Sequence, residues 1–278
     1  MNENEIIIVN TIHRNEYDKV VTDAVEYAIL SFPFTVNRMN LINITDRIKN
    51  IAKGKIAEGL FFTFCKHNGI IADYSRCNTP FYTIDKRDFI LDNYEWDIKN
   101  NFIIHNNKVL ADDYTNLPAL VPDRFNRDQW SKRNEMQHNG LSGVRLLFSF
   151  MKRDEIFKMV LTDEQDELIR KIYSKYKGQT QNAAPFDTDE FWNAMIKKGG
   201  GNKYMLQIIN RPYLVITGYA GREEFKLFRK QKPGAFLNGA FRTRIINRNT
   251  EIRTLPSFAT LYPHLKHKMY YAEFRKTH

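Results

Sequence analysis

The sequence predicts an α/β protein with a mixed central β-sheet flanked by helices. Three observations carry that prediction. Segments of helical period alternate with short apolar runs of strand length. The stretch "DFILDNYEWDIKNN", residues 88–101, reads as two apolar strands joined by a polar turn. The stretch "GVRLLFSFMK", residues 143–152, is a continuous apolar run with flanking charges, the pattern of a strand buried on both faces.

Along the chain, "IIIV" near the N-terminus has strand length, and "TDAVEYAILSF" (22–32) has helical spacing and is closed by Pro33. Residues 43–69 form a stronger helix. Thr45 or Asp46 is expected to cap it, Ile48, Ile51, Ile56, Leu60 and Phe64 fall near one face, and Asn68-Gly69 ends it. Gly54 and Gly59 weaken its middle and leave open a split into two helices. Residues 124–136 read as a basic helix. Residues 162–178 form a helix with a capping box of Thr162 and Gln165, and 187–201 a shorter one. One or two strands follow in 203–221, with Arg211-Pro212 at a bend. A hairpin is expected over 241–255, turning at Asn247 to Asn249. These elements divide into an N-terminal helical extension (1–45), a core (46–225) and a basic C-terminal extension (226–278) packed on it.

Composition limits the function. The chain of 278 residues is 42% hydrophobic and 13% aromatic, enough for a sizeable core, and carries a net charge of +10. Such a basic balance favours polyanionic partners, nucleic acid first. Two cysteines, Cys65 and Cys77, stand 12 apart without a CxxC pair, which argues against a structural zinc site and a disulfide scaffold. The expected compartment is a reducing cytoplasm. No apolar run approaches a membrane span, and the acidic N-terminus is unlike a signal peptide. Gly54-Lys55-Ile56 is not a Walker A loop, and no G-x-S-x-G occurs.

The 88–101 hairpin holds the chemistry. With Asn93-Tyr94 at the turn centre, Asp88 would oppose Lys99 and Ile90 would oppose Asp97. Residues two apart on a strand share a face, as do opposed pairs. Asp88, Asp97 and Lys99 therefore project from one face, while Phe89, Leu91, Trp96 and Ile98 project from the other. Glu95 shares the polar face and reads as a solvated turn acid. Two like charges this close make sense with a divalent cation between them, and a few hard oxygens suit Mg²⁺. The plainer reading is a surface hairpin with solvated charges.

Asp88, followed nine residues later by Asp97-Ile98-Lys99, resembles the PD-(D/E)XK nuclease signature of the restriction-endonuclease-like fold. The proline of the motif is absent, and Arg87 stands there. The apolar helix upstream is similar to the helix of that family that offers a glutamate to the metal site, here Glu58. The resemblance spans about residues 46–152. It implies a restriction-endonuclease-like core and a Mg²⁺-dependent endonuclease, with Mn²⁺ able to substitute. By it, Asp88, Asp97 and Glu58 bind the metal, and Lys99 orients or activates water. It implies a sequence-specific Type II restriction endonuclease acting on double-stranded DNA as a homodimer. Asp85 is the alternative first metal ligand.

Lys132 and Arg133 on the basic helix, and Arg242, Arg244 and Arg248 in the tail, are candidate DNA contacts. Two other readings stay open: a structure-specific repair or recombination nuclease, and a nucleic-acid-binding protein without catalysis.

Overall fold

The computed structural model describes the chain except residues 3–4, 36–40, 78–79, 83–86, 106, 112, 124–139, 177–185, 238–240 and 269–278. The order is β1 (Ile7–Val9), α1 (Arg14–Ser31), α2 (Ile44–His67), β2 (Phe89–Leu91), β3 (Tyr94–His105), β4 (Lys108–Val109), β5 (Pro118–Pro122), β6 (Val144–Arg153) and β7 (Phe157–Val160). Then come α3 (Asp163–Tyr176), α4 (Thr188–Lys198), β8 (Met205–Ile208), β9 (Leu214–Ala220), β10 (Arg229–Gln231), β11 (Phe236–Leu237), β12 (Phe241–Arg242) and β13 (Asn247–Glu251).

The central sheet is curled and mixed, in the order β1-β9-β6-β3-β2, with β4 also on β3. Among the described strands of this sheet β3 and β6 run parallel, and the other neighbours are antiparallel. Each face buries its own apolar layer. On the first, Trp96, Ile98, Leu147 and Ile216 meet Val21 and Val25 of α1 and Ile56, Leu60 and Phe61 of α2. On the second, Leu146, Phe148, Phe150 and Val215 meet Val121, Phe225, Phe228 and Ile252. This second face is covered by a small sheet of order β10-β13-β5. Among the described residues no helix is long and apolar enough to cross a membrane.

Local chemistry explains the helices. Asn43, not Thr45 or Asp46, caps α2: its side chain accepts the Asp46 N–H at 3.2 Å. Both glycines stay inside one continuous helix. A Cβ on Gly59 would lie 2.7 Å from Val20 Cγ1, so the glycine lets α1 approach closely, whereas nothing lies within 4 Å at Gly54. The capping box on α3 forms in both directions, with the Thr162 N–H donating to Gln165 Oε1 and the Gln165 N–H to Thr162 Oγ1. Asp187 caps α4.

Two expectations shift. The N-terminal segment is no mere extension: β1 pairs with β9 inside the central sheet, and α1 begins at Arg14 and packs on α2. The expected turn at Asn247 to Asn249 is instead part of β13, which pairs with β10 on one side and β5 on the other. The hairpin of this region joins β11 to β12.

Candidate active site

The 88–101 stretch forms the expected hairpin with a different turn. Asp92 (φ 49°) and Asn93 (φ 62°) are its centre, and the pairs are Leu91 with Tyr94, Ile90 with Glu95 and Phe89 with Trp96. A two-residue hairpin loop with positive φ at both positions suits Asp and Asn, which tolerate that conformation far better than Tyr. The correction moves the pairing by two positions, and the ladder ends at the Phe89–Trp96 pair, so Asp88 precedes β2 and does not oppose Lys99. A shift of two keeps the paired strand side chains on their faces.

Trp96 anchors the apolar side. It is fully buried, its ring stacks on Phe89 at 5.8 Å, and its indole N–H donates to the Leu91 carbonyl at 3.0 Å. Truncating such a side chain costs about 3–5 kcal/mol, so the alternation of Asp97 and Lys99 to the other face is firmly set. There, the register places Asp97 beside Leu146 and Lys99 beside Phe148.

Asp97 is 5% exposed, and its Oδ2 forms an ion pair with Lys99 Nζ. Asp88 Oδ2 accepts the Ile98 N–H at 2.5 Å, and the Asp88 N–H donates to the Trp96 carbonyl at 2.9 Å. The first aspartate is thus fastened to the strand that bears the second. On the side of β3 away from β6, β2 pairs only up to Trp96 and β4 only at Ile104 and His105, so no strand flanks that side between Ile98 and Phe102 among the described residues.

Glu95 is not a solvated turn acid. Its side chain is 14% exposed, and its Oε1 accepts from Arg87 Nη1 at 2.5 Å. Arg87 thus joins the polar face beside Asp88. The signal was the parity of Glu95 with Asp97; its partner was hidden because Arg87 precedes the strand.

Glu58 comes from the other direction. The α2 helix covers the first face of the sheet, while Asp97 and Lys99 project on the second. Glu58 pairs with Lys55 of its own helix at 2.6 Å. Its link to the site is Tyr74, whose hydroxyl is pushed far above the usual phenol range by burial first and by nearby Cys65, Asp88 and Glu58 as well. Asp88 and Glu58 thus both act electrostatically on the buried Tyr74 hydroxyl. Among the described residues, no three His, Cys, Asp or Glu side chains converge as a metal-binding group. Mg²⁺ takes one or two carboxylates and completes its shell with water and phosphate, so Asp97 on β3 and Asp88 just before β2 are the residues that could hold one.

Asp85, Lys132 and Arg133 lie outside the described residues, as does the basic helix expected at 124–136. Arg242 and Arg244 are exposed near the β11–β12 hairpin. Arg248 sits mid-strand in β13, 3.5 Å from Asp123 Oδ2, instead of at a hairpin tip. No family model, no curated protein and no solved structure matches this chain.

Proposed function

We propose that the protein is a Mg²⁺-dependent endonuclease that hydrolyses DNA phosphodiester bonds. The observation that carries this reading is the Asp97–Lys99 ion pair on one face of β3, with Asp88 hydrogen-bonded to the Ile98 N–H between them. Asp88 and Asp97 would hold the metal, and Glu58 would assist from the edge of the sheet. A bound Mg²⁺ would supply Lewis-acid polarisation of the phosphate and of a water.

The chain's own contribution is positional and electrostatic. Asp97 holds the Lys99 ammonium in an ion pair on the polar face. From there Lys99 orients the attacking water and offsets negative charge gathering on the phosphate oxygens. The water oxygen bonds to phosphorus as the opposite ester P–O bond breaks; the water gives up one proton to bulk solvent, and the departing oxygen takes one from solvent. No covalent enzyme intermediate is required. Trp96 and Phe89, stacked beneath the hairpin, keep both aspartates in place.

The resemblance to PD-(D/E)XK enzymes further supports a sequence-specific Type II restriction endonuclease with a restriction-endonuclease-like core. It would act in the cytoplasm on double-stranded DNA. Cutting both strands of a palindromic site would need a homodimer.

The test is digestion of long mixed-sequence DNA in Mg²⁺, with Mn²⁺ expected to substitute. Discrete fragments support the restriction reading. Cleavage confined to branched or single-stranded substrates points to a repair or recombination nuclease instead. DNA left intact in both metals, yet bound, rejects catalysis and leaves a binding protein.

A further inference from the structure

The second face of the central sheet carries more than Asp97 and Lys99. Residues 222–248 hold eight Lys and Arg against two Asp and Glu. That is a net +6 of the chain's +10. Much of this charge is uncompensated: Arg229, Lys232 and Arg244 are exposed and have no ion-pair partner among the described residues.

The fold places this charge beside the candidate site. Lys99 neighbours Phe148 on the same face, Phe148 stacks on Phe228 at 5.7 Å, and Phe228 stacks on Phe225 at 4.9 Å. Arg229 and Lys230 follow Phe228 directly in the edge strand β10.

Asp123 supplies a second observation. It is 1% exposed, and neither carboxylate oxygen has a hydrogen-bond partner among the described residues. Arg248 at 3.5 Å and Lys230 at 3.9 Å form ion pairs with it from adjacent strands. A buried carboxylate must be charge-paired to be tolerated. Here it anchors two cations at the margin of the small sheet while their neighbours Arg229 and Lys232 face solvent.

We infer that the β10 side of the small sheet, with Arg229, Lys230 and Lys232, is a phosphodiester-backbone contact surface that grips DNA beside Asp97 and Lys99. The inference rests on the nuclease reading for its substrate and specifies where that substrate lies. These contacts position the duplex and read no sequence. They also predict which side of the sheet the nucleic acid approaches: the side of the small sheet, away from α1 and α2.

The test is salt-dependent binding of a labelled mixed-sequence duplex in EDTA, where cleavage cannot interfere. The probe protein is the full chain carrying Arg229→Gln, Lys230→Gln and Lys232→Gln. Each lost phosphate contact removes about 0.9 from the slope of log K against log salt, so the triple variant should lose about 2.7. Between 50 and 200 mM salt, values within the usual range for such titrations, wild-type affinity should then fall about 40-fold more steeply than the variant's. A control triple variant, Lys171→Gln, Lys197→Gln and Lys198→Gln, removes the same charge from α3 and α4 on the opposite face. Its slope should change by less than about 1.

Equal slopes for wild type and the β10 variant, equal losses in both triple variants, or no binding by the wild type would each overturn the inference. If the β10 variant alone loses slope while the wild type never cuts DNA, the surface stands and the nuclease reading falls.

Discussion

Asp88 performs two tasks that substitution can separate. Its Oδ2 accepts the Ile98 N–H at 2.5 Å, and Ile98 is 8% exposed, so that donor has little access to water. Asp88→Ala would leave it orphaned. Losing a hydrogen bond to a charged acceptor costs about 1.5–3 kcal/mol, and about 2 kcal/mol is the expected loss here. With a urea m-value of about 3 kcal/mol/M, the denaturation midpoint should fall by about 0.7 M. Asp88→Asn retains an acceptor oxygen in the same place and should stay within about 0.3 M of wild type. Both variants should lose Mg²⁺-dependent cleavage, because an amide oxygen is a poor substitute for a carboxylate at a hard cation. Urea unfolding followed by Trp fluorescence, alongside a cleavage assay, reads both effects. Equal stability of Asp88→Ala and wild type would refute the structural role assigned to Oδ2. Full cleavage by a folded Asp88→Asn would refute the metal-binding role.

Three other outcomes follow from the geometry. Lys99→Met leaves the buried Asp97 carboxylate without its counter-charge and should destabilise by about 3 kcal/mol; adding Asp97→Leu should recover most of that loss in urea unfolding. Gly59→Ala drives a Cβ into Val20 and should cost about 1–2 kcal/mol, relieved by Val20→Ala, whereas Gly54→Ala in open space should gain up to about 1 kcal/mol; thermal melts of the set distinguish the sites. Burial raises the Cys65 thiol to about 12 and the Cys77 thiol to about 11, and raises Tyr17 and Tyr204 as well. The unfolded chain therefore releases these protons first, so the stability they contribute is intact below pH 9 and is lost as pH rises through 11 and 12. Urea midpoints measured on either side of that window should fall with pH, and both thiols should resist alkylation in the native protein at neutral pH.

The site was legible in sequence wherever a local rule sufficed. Strand parity placed Asp97 and Lys99 on one face even though the turn was misplaced, because a pairing shift of two preserves faces. The capping box of Thr162 and Gln165 was likewise local and complete. Long-range pairing was not legible. The Asn-Arg-Asn of 247–249 has the composition of a turn, yet it becomes a middle strand because Arg248 pairs with Val121 and Lys230, positions far away in sequence. The role of β1 depends on β9 in the same way. Glu58 fits a helical pattern, but only the tertiary structure shows that its helix covers the face opposite Asp97 and Lys99.

The most direct test of the central claim is the rate of phosphodiester hydrolysis on mixed-sequence DNA in Mg²⁺ by wild type, Asp97→Asn and Lys99→Met, each first shown to be folded. Cleavage by the wild type, with rates at least about 100-fold lower in both variants, is the predicted result. A wild type that leaves the DNA intact, or folded variants that cut it as fast as the wild type, would contradict it.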